Sequence, residues 1–227
     1  MTKVKKGGFI IKSFLLRFVR LVFGLTLCSI GIVFMLQANI GFFPWDVFHA
    51  GIAKTIGTSI GVASILVGIV IVISAHLMKE KFGLGTIVNM ILVGLQMDFI
   101  LGLNIIPLSN NFFTGILMII IGMFLIGFGS YFYIGAGFGT GPRDSLMVIL
   151  MRRTKKPAGV CRASVECCAV IAGWLLGGMV GIGTVLSAFG LGACIQISFK
   201  ICKFDAKAVP HETLAETFRS LFKKPKD

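Results

Sequence analysis

GFFPWD, Gly41 to Asp46, returns further along the chain as GTGPRD, Gly139 to Asp144, and the meaning of this repeated phrase decides the fold. Each copy follows a long apolar run and opens a shorter one. A shift of 98 residues carries Gly41, Pro44 and Asp46 onto Gly139, Pro142 and Asp144 without a gap. The same shift carries Gly61 onto Gly159, the set Gly83, Gly85 and Thr86 onto Gly181, Gly183 and Thr184, and Gly94 onto Gly192. Apolar residues coincide by chance in any such chain, so the weight falls on the clustered Gly, Pro, Asp and Thr. The pattern predicts an internal duplication, which in a membrane protein gives two structural halves with a site between them.

The surrounding composition sets the environment. With 56% apolar residues, 14% charged residues and a mean hydropathy of +0.95, the 227-residue chain is read as an all-α integral membrane protein. Soluble domains carry about a quarter charged residues. A net charge of +13 would suggest nucleic acid in a soluble protein. Here the basic residues stand in blocks beside apolar runs, the pattern of cytoplasmic loops, so no nucleic-acid partner is expected. The six cysteines lie in or beside apolar runs without metal-ligand spacing and are read as small buried thiols.

About six transmembrane helices follow, at 21–40, 61–78, 83–103, 112–134, 163–180 and 183–199. Two short or re-entrant half-helices begin at the repeated phrases, since a dozen residues cannot cross a core that needs about 20 in helix. Residues 1–20 form a basic segment suited to an anionic inner leaflet. The first repeat is 21–103, the second 112–199, and 200–227 is a tail with an amphipathic helix carrying Leu214, Phe218, Leu221 and Phe222 on one face. Basic blocks at the N-terminus, at Lys79 and Lys81, at Arg152 to Arg162 and after Lys200 all fall inside if the half-helices do not cross. That topology makes this a multi-pass plasma-membrane protein with both termini cytoplasmic, halves of three spans inverted relative to each other, and positions 43 and 141 on opposite sides. Lys54 fits it least well.

The stretch QANIGFFPWDVFHAGIAKTIGTSIGVASILVG, 37–68, followed by FGLGTIVNMILVGLQMDF, 82–99, resembles the YczE/YitT-like group of bacterial integral membrane proteins, its YczE branch most. The resemblance implies a bacterial multi-pass membrane protein and brings no biochemical activity with it.

Ionisable groups inside apolar stretches are the natural candidates for function. Asp46 and Asp144 occupy the third helical position after Pro44 and Pro142, where a carboxylate either caps the helix or helps bind an ion or ligand. Arg143, in the place held by Trp45 in the first copy, is suited to a carboxylate or phosphate. Its plainer reading pairs it with Asp144 or phospholipid, and Trp45 reads as an interfacial anchor. Asp98, between Gly94 and Gly102, has no local cation, leaving a proton or ion as its partner. His49 stands three residues from Asp46, too small a group for a metal site. Arg162 and Glu166, four apart, predict an intrahelical ion pair.

Gly83, Gly85 and Thr86, like Gly181, Gly183 and Thr184, predict tight helix entries rather than nucleotide-binding loops. No His-Glu metal motif or serine nucleophile with a base appears, so neither an enzyme nor a cofactor is expected. The features predict a small-molecule or ion transporter with a site between the repeats, an anion being among the ligands that Arg143 suits. The alternative is an accessory or regulatory membrane protein that acts through partner binding.

Overall fold

Apolar backbone in hydrocarbon has only itself to hydrogen-bond, so such runs must close their bonds within the segment. Every regular element among the described residues is accordingly helical. The computed structural model describes residues 3–78, 80, 82–139 and 141–222, without the side chains at 3–13, 144, 145, 148, 158, 207, 218 and 220–222. Its helices are α1 Lys3–Gln37, α2 Pro44–Ile56, α3 Ile60–Leu77, α4 Leu84–Gly102 and α5 Phe112–Gly135. After these come α6 Pro142–Thr154, α7 Ala158–Leu175, α8 Ile182–Ile201, a 3-10 turn Ala206–Ala208, and α9 Leu214–Phe222.

Among the described residues five helices are long and apolar enough to cross a membrane: Phe14–Gln37, Ile60–Leu77, Leu84–Gly102, Phe112–Gly135 and Ile182–Ile201. The chain is an all-α membrane protein. The span expected at 163–180 is shifted toward the N-terminus. It forms α7, which starts earlier, straight after Pro157, and whose apolar run is interrupted by Arg162 and Glu166.

Local signals set the ends of the short helices. Pro44 and Pro142 stand at their first positions, where the missing N–H costs nothing. Gly57 at φ 72 and Lys155 at φ 54 end them in left-handed conformation. Both helices have 13 residues, and α3 and α7 both have 18. In each pair the bounds differ by the 98 residues of the sequence repeat.

The long helices α1 and α5 pack antiparallel through glycine. A Cβ at Gly31 would stand 2.6 Å from the Gly122 carbonyl oxygen, and one at Gly122 the same distance from that of Gly31. A second contact joins Gly24 and Gly129, where a Cβ on Gly129 would stand 2.6 Å from the Gly24 oxygen. Shifting Gly24 forward and Gly129 back by 98 gives Gly122 and Gly31, the first contact again.

The breaks cross over. Gly41 at φ 115 lies against Gly181, and the Gly183 N–H donates to Ile40 O at 2.8 Å. Gly139 at φ 105 lies against Gly83, and the Gly85 N–H donates to Phe138 O at 2.8 Å. The Gly-x-Gly-Thr phrases are thus tight helix entries whose glycines leave room for the breaks before α2 and α6. Around this frame α2 packs on α7, α3 on α4 and α6, and α5 on α8. Between α1 and α4, Gln96 accepts from Ser29 Oγ at 3.0 Å and donates to Thr26 Oγ1 at 2.8 Å.

The tail folds back on its own chain. Arg17 donates to Glu212 Oε1 at 2.6 Å and to Ala136 O at 2.8 Å, while the Leu214 N–H donates to Phe82 O at 3.0 Å. Arg17 also lies over the Phe138 ring at 4.5 Å. Arg17→Ala should therefore lower the melting temperature and expose the tail to limited proteolysis near Glu212, which mass mapping of the fragments would read.

Candidate functional site

The depth of the short helices follows from what anchors their approaches. Phe138 meets the Phe14 ring at 5.3 Å at one end of the α1–α5 pair, and Ile40 lies against Gly115 at the other. The helix between, Phe14–Gln37, has 24 residues, about 36 Å of rise. Yet the Arg143 guanidinium stands 5.2 Å from the Trp45 ring centre and 5.6 Å from that of Phe43. Five residues of extended chain reach at most about 17 Å, so the chain must turn inward after Ile40 and after Phe138. Helices α2 and α6 therefore begin near half depth, with their N-termini facing each other, and each runs about 20 Å back toward the end it came from.

Between them lies a cavity of about 350 Å³ with contributions from α1 through α8. Positions 98 residues apart line it together: Cys28 with Ile126, Ile32 with Ser130, Phe43 with Gly141, Trp45 with Arg143, and His49 with Met147. Positions 43 and 141, assigned from the sequence to opposite sides, thus share one chamber, because both connectors dip to the middle. Most of the wall is apolar. Polar groups enter from Ser64, Asn89, Ser130, Tyr133, Arg162 and Glu166 beside His49 and Arg143. Chambers of this size with few polar groups are the usual form of small-molecule sites.

Arg143 bridges α6 and the start of α2. Its Nη2 is 3.9 Å from Asp46 Oδ1, and its side chain is 36% exposed against 2% for Asp46. Beyond the neighbours expected from the sequence, Arg143 reaches Asp46 and the faces of Phe43 and Trp45. The Asp144 side chain lies outside the described residues. Trp45 is no interfacial anchor: it is buried at 6% exposure and forms a face for the guanidinium, a stacking that holds Arg well. His49 is equally buried, with Nδ1 at 3.5 Å from Asp46 Oδ1, and that nitrogen has no hydrogen-bond partner among the described residues. A cation, two aromatic rings, a buried carboxylate and two facing helix N-termini can together hold a small anionic or zwitterionic group.

Asp98 stands apart from the cavity. It accepts from the Gly61 N–H at 2.8 Å and from Ser59 Oγ, capping the start of α3. Its partners are hydrogen-bond donors 37 and 39 residues away in the chain. Asp98→Ala should cost about 1 kcal/mol of stability, the worth of a helix cap, and leave ligand binding at the cavity unchanged. Thermal unfolding with and without ligand checks both. Arg162 and Glu166 pair within α7, Nε to Oε1 at 2.9 Å, and both also line the cavity. No group of His, Cys, Asp and Glu among the described residues is arranged to hold a metal.

With this geometry in hand, the relatives place the chain. A model described as a family of unknown function, DUF6198, matches residues 15–200. The chain belongs to that family. The span matched to DUF6198 takes in both halves and every residue lining the cavity. A Haemophilus influenzae protein named only as uncharacterized is 34% identical over 181 residues, 80% of this chain and 82% of its own length. The Bacillus subtilis "Uncharacterized membrane protein YczE" is 32% identical over 177 residues, covering 77% of this chain and 81% of that one. A second Bacillus subtilis protein, "Uncharacterized protein YyaS", is 27% identical over 181 residues. No solved structure matches.

Proposed function

We propose that this protein is a transporter of a small molecule or ion, with its site in the cavity between two inverted repeats. The carrying observation is that equivalent positions of both halves face one chamber at the meeting point of two broken elements. Transport at a midplane site needs that arrangement, in which half-helix N-termini meet the ligand. The α1–α5 contacts that map onto themselves under the 98-residue shift support the duplication. The basic blocks support a plasma-membrane protein with both termini in the cytoplasm. In this reading Arg143 and the start of α6 receive an anionic group of the ligand, the apolar wall takes the rest, and no catalytic step is involved.

An accessory role would use the tail as a contact surface. The bonds from Arg17 to Glu212 and from Leu214 to Phe82 favour a tail that completes the fold instead.

The test is a thermal-shift screen of purified protein against inorganic anions and small carboxylates, followed by uptake of each hit into proteoliposomes. A hit that stabilises the native chain, is taken up, and loses both effects in Asp46→Asn fits the proposal. Absence of any hit, together with unchanged growth and transport of a host carrying Asp46→Asn, would sink it.

A further inference from the structure

The two halves differ in one respect that their shared spacing does not require. Helices α3 and α4 are closed over Gly61 and Gly94. A Cβ at Gly61 would collide with Gly94 O and the Asp98 carboxylate, and one at Gly94 would stand 2.6 Å from Ile65 Cγ1. Asp98 ties the same end through the Gly61 N–H and Ser59 Oγ. The positions 98 residues further on are Gly159 on α7 and Gly192 on α8. A Cβ at either would find nothing within 4 Å, and α7 and α8 make no packing comparable to that of α3 on α4.

The cavity is lopsided in the same sense. It is lined toward one end by Tyr133, Ile134, Ile195 and Phe199. Their counterparts Met35, Leu36, Met97 and Leu101 do not line it, and Met35 and Met97 are 1% exposed in the core. The end where α7 and α8 stand apart is the end toward which the chamber extends.

We propose that the seams exchange. In a second state α7 closes on α8 with Gly159 and Gly192 as the contact, α3 parts from α4 at Gly61 and Gly94, and the chamber extends past Met35, Leu36, Met97 and Leu101. The inference rests on the transport reading of the cavity and names its moving parts. The α1–α5 seam and the crossed breaks are unchanged by exchanging the halves, so they form the fixed frame. Small residues permit close helix packing, and a spacing that closes one seam is equally available to the other. Gln196 stands where Asp98 ties the first seam, which leaves the second closure the weaker and the described state the resting one.

The experiment uses the full chain in proteoliposomes, its six native cysteines replaced by alanine, with Gly159→Cys and Gly192→Cys added. Oxidation is expected to give a disulfide-linked peptide pair by mass spectrometry, and the control pair Gly102→Cys with Gly192→Cys none. A yield no higher than the control in protein that still unfolds cooperatively would overturn the proposal. Gly192→Leu in the otherwise native chain gives an independent reading. It should leave the melting temperature unchanged, abolish uptake of any solute the native chain moves, and slow amide exchange at Gly61. Unchanged exchange there would also overturn the proposal. A crosslink with no solute moved would leave the exchange standing and remove the transport reading alone.

Discussion

Replacing Gly31 with leucine is expected to cost at least about 3 kcal/mol, the upper part of the range for overpacking. The colliding atom is the Gly122 backbone oxygen, and Ile126 and Leu125 side-chain atoms lie at 2.9 and 3.1 Å from the same Cβ site. Backbone at the centre of a helix pair cannot swing aside as the tip of a side chain can. The helices must separate, which removes the reciprocal approach at Gly24 and Gly129 as well. Size-exclusion of detergent-purified protein and its melting curve should show loss of a folded monodisperse species. Gly122→Leu should do the same, because it meets Gly31 O from the other side. Gly102→Leu supplies the contrast: nothing lies within 4 Å of its Cβ site, and stability should be unchanged. A Gly31→Leu protein with native melting would mean that the α1–α5 seam is not the frame of the molecule.

The second large effect is on function. Arg143→Ala removes the cation that spans the two halves, and should weaken binding of an anionic ligand by roughly tenfold to a hundredfold, the worth of hydrogen bonds to a charged group at about 1.5–3 kcal/mol. Arg143→Lys should recover only part of this, since an ammonium lacks the planar face that lies over Trp45 and Phe43. A merely structural role for Arg143 would move the melting temperature and leave the ligand-induced shift intact. Measuring that shift for native, Ala and Lys forms separates the two roles.

Much of this frame is legible in the chain, because its devices are local. Pro44 and Pro142 announce helix starts, Gly41 and Gly139 announce breaks, and 13 residues are too few to cross. The ion pair of Arg162 with Glu166 is readable for the same reason, being one helical turn. What the chain conceals are contacts made across the halves. Arg143 meets Asp46 only because two connectors dip from opposite ends, and neither residue carries a mark of the other. Trp45 next to an apolar run looks like an interface anchor until the dip buries it. Asp98 has no partner at helical spacing because Ser59 and Gly61 stand at the start of the preceding helix. The shift of 98 residues holds a clue to the cavity wall, since it carries Ile32 onto Ser130 and His49 onto Met147, all four of which line it. Ile32 and Met147 are apolar, and nothing local to them marks a cavity wall.

The central claim is that the starts of both half-helices open into one shared chamber. Thiol labelling tests it without knowledge of the ligand, using Phe43→Cys and Gly141→Cys separately in the full chain with native cysteines replaced, in inside-out and right-side-out vesicles. A Cβ at position 141 has its nearest neighbour, Asn89, at 3.8 Å, so the thiol fits. An impermeant reagent is expected to modify both positions from the same face, and a ligand found by the screen should protect both. Modification of the two from opposite faces with no face in common, or of neither, would contradict the account.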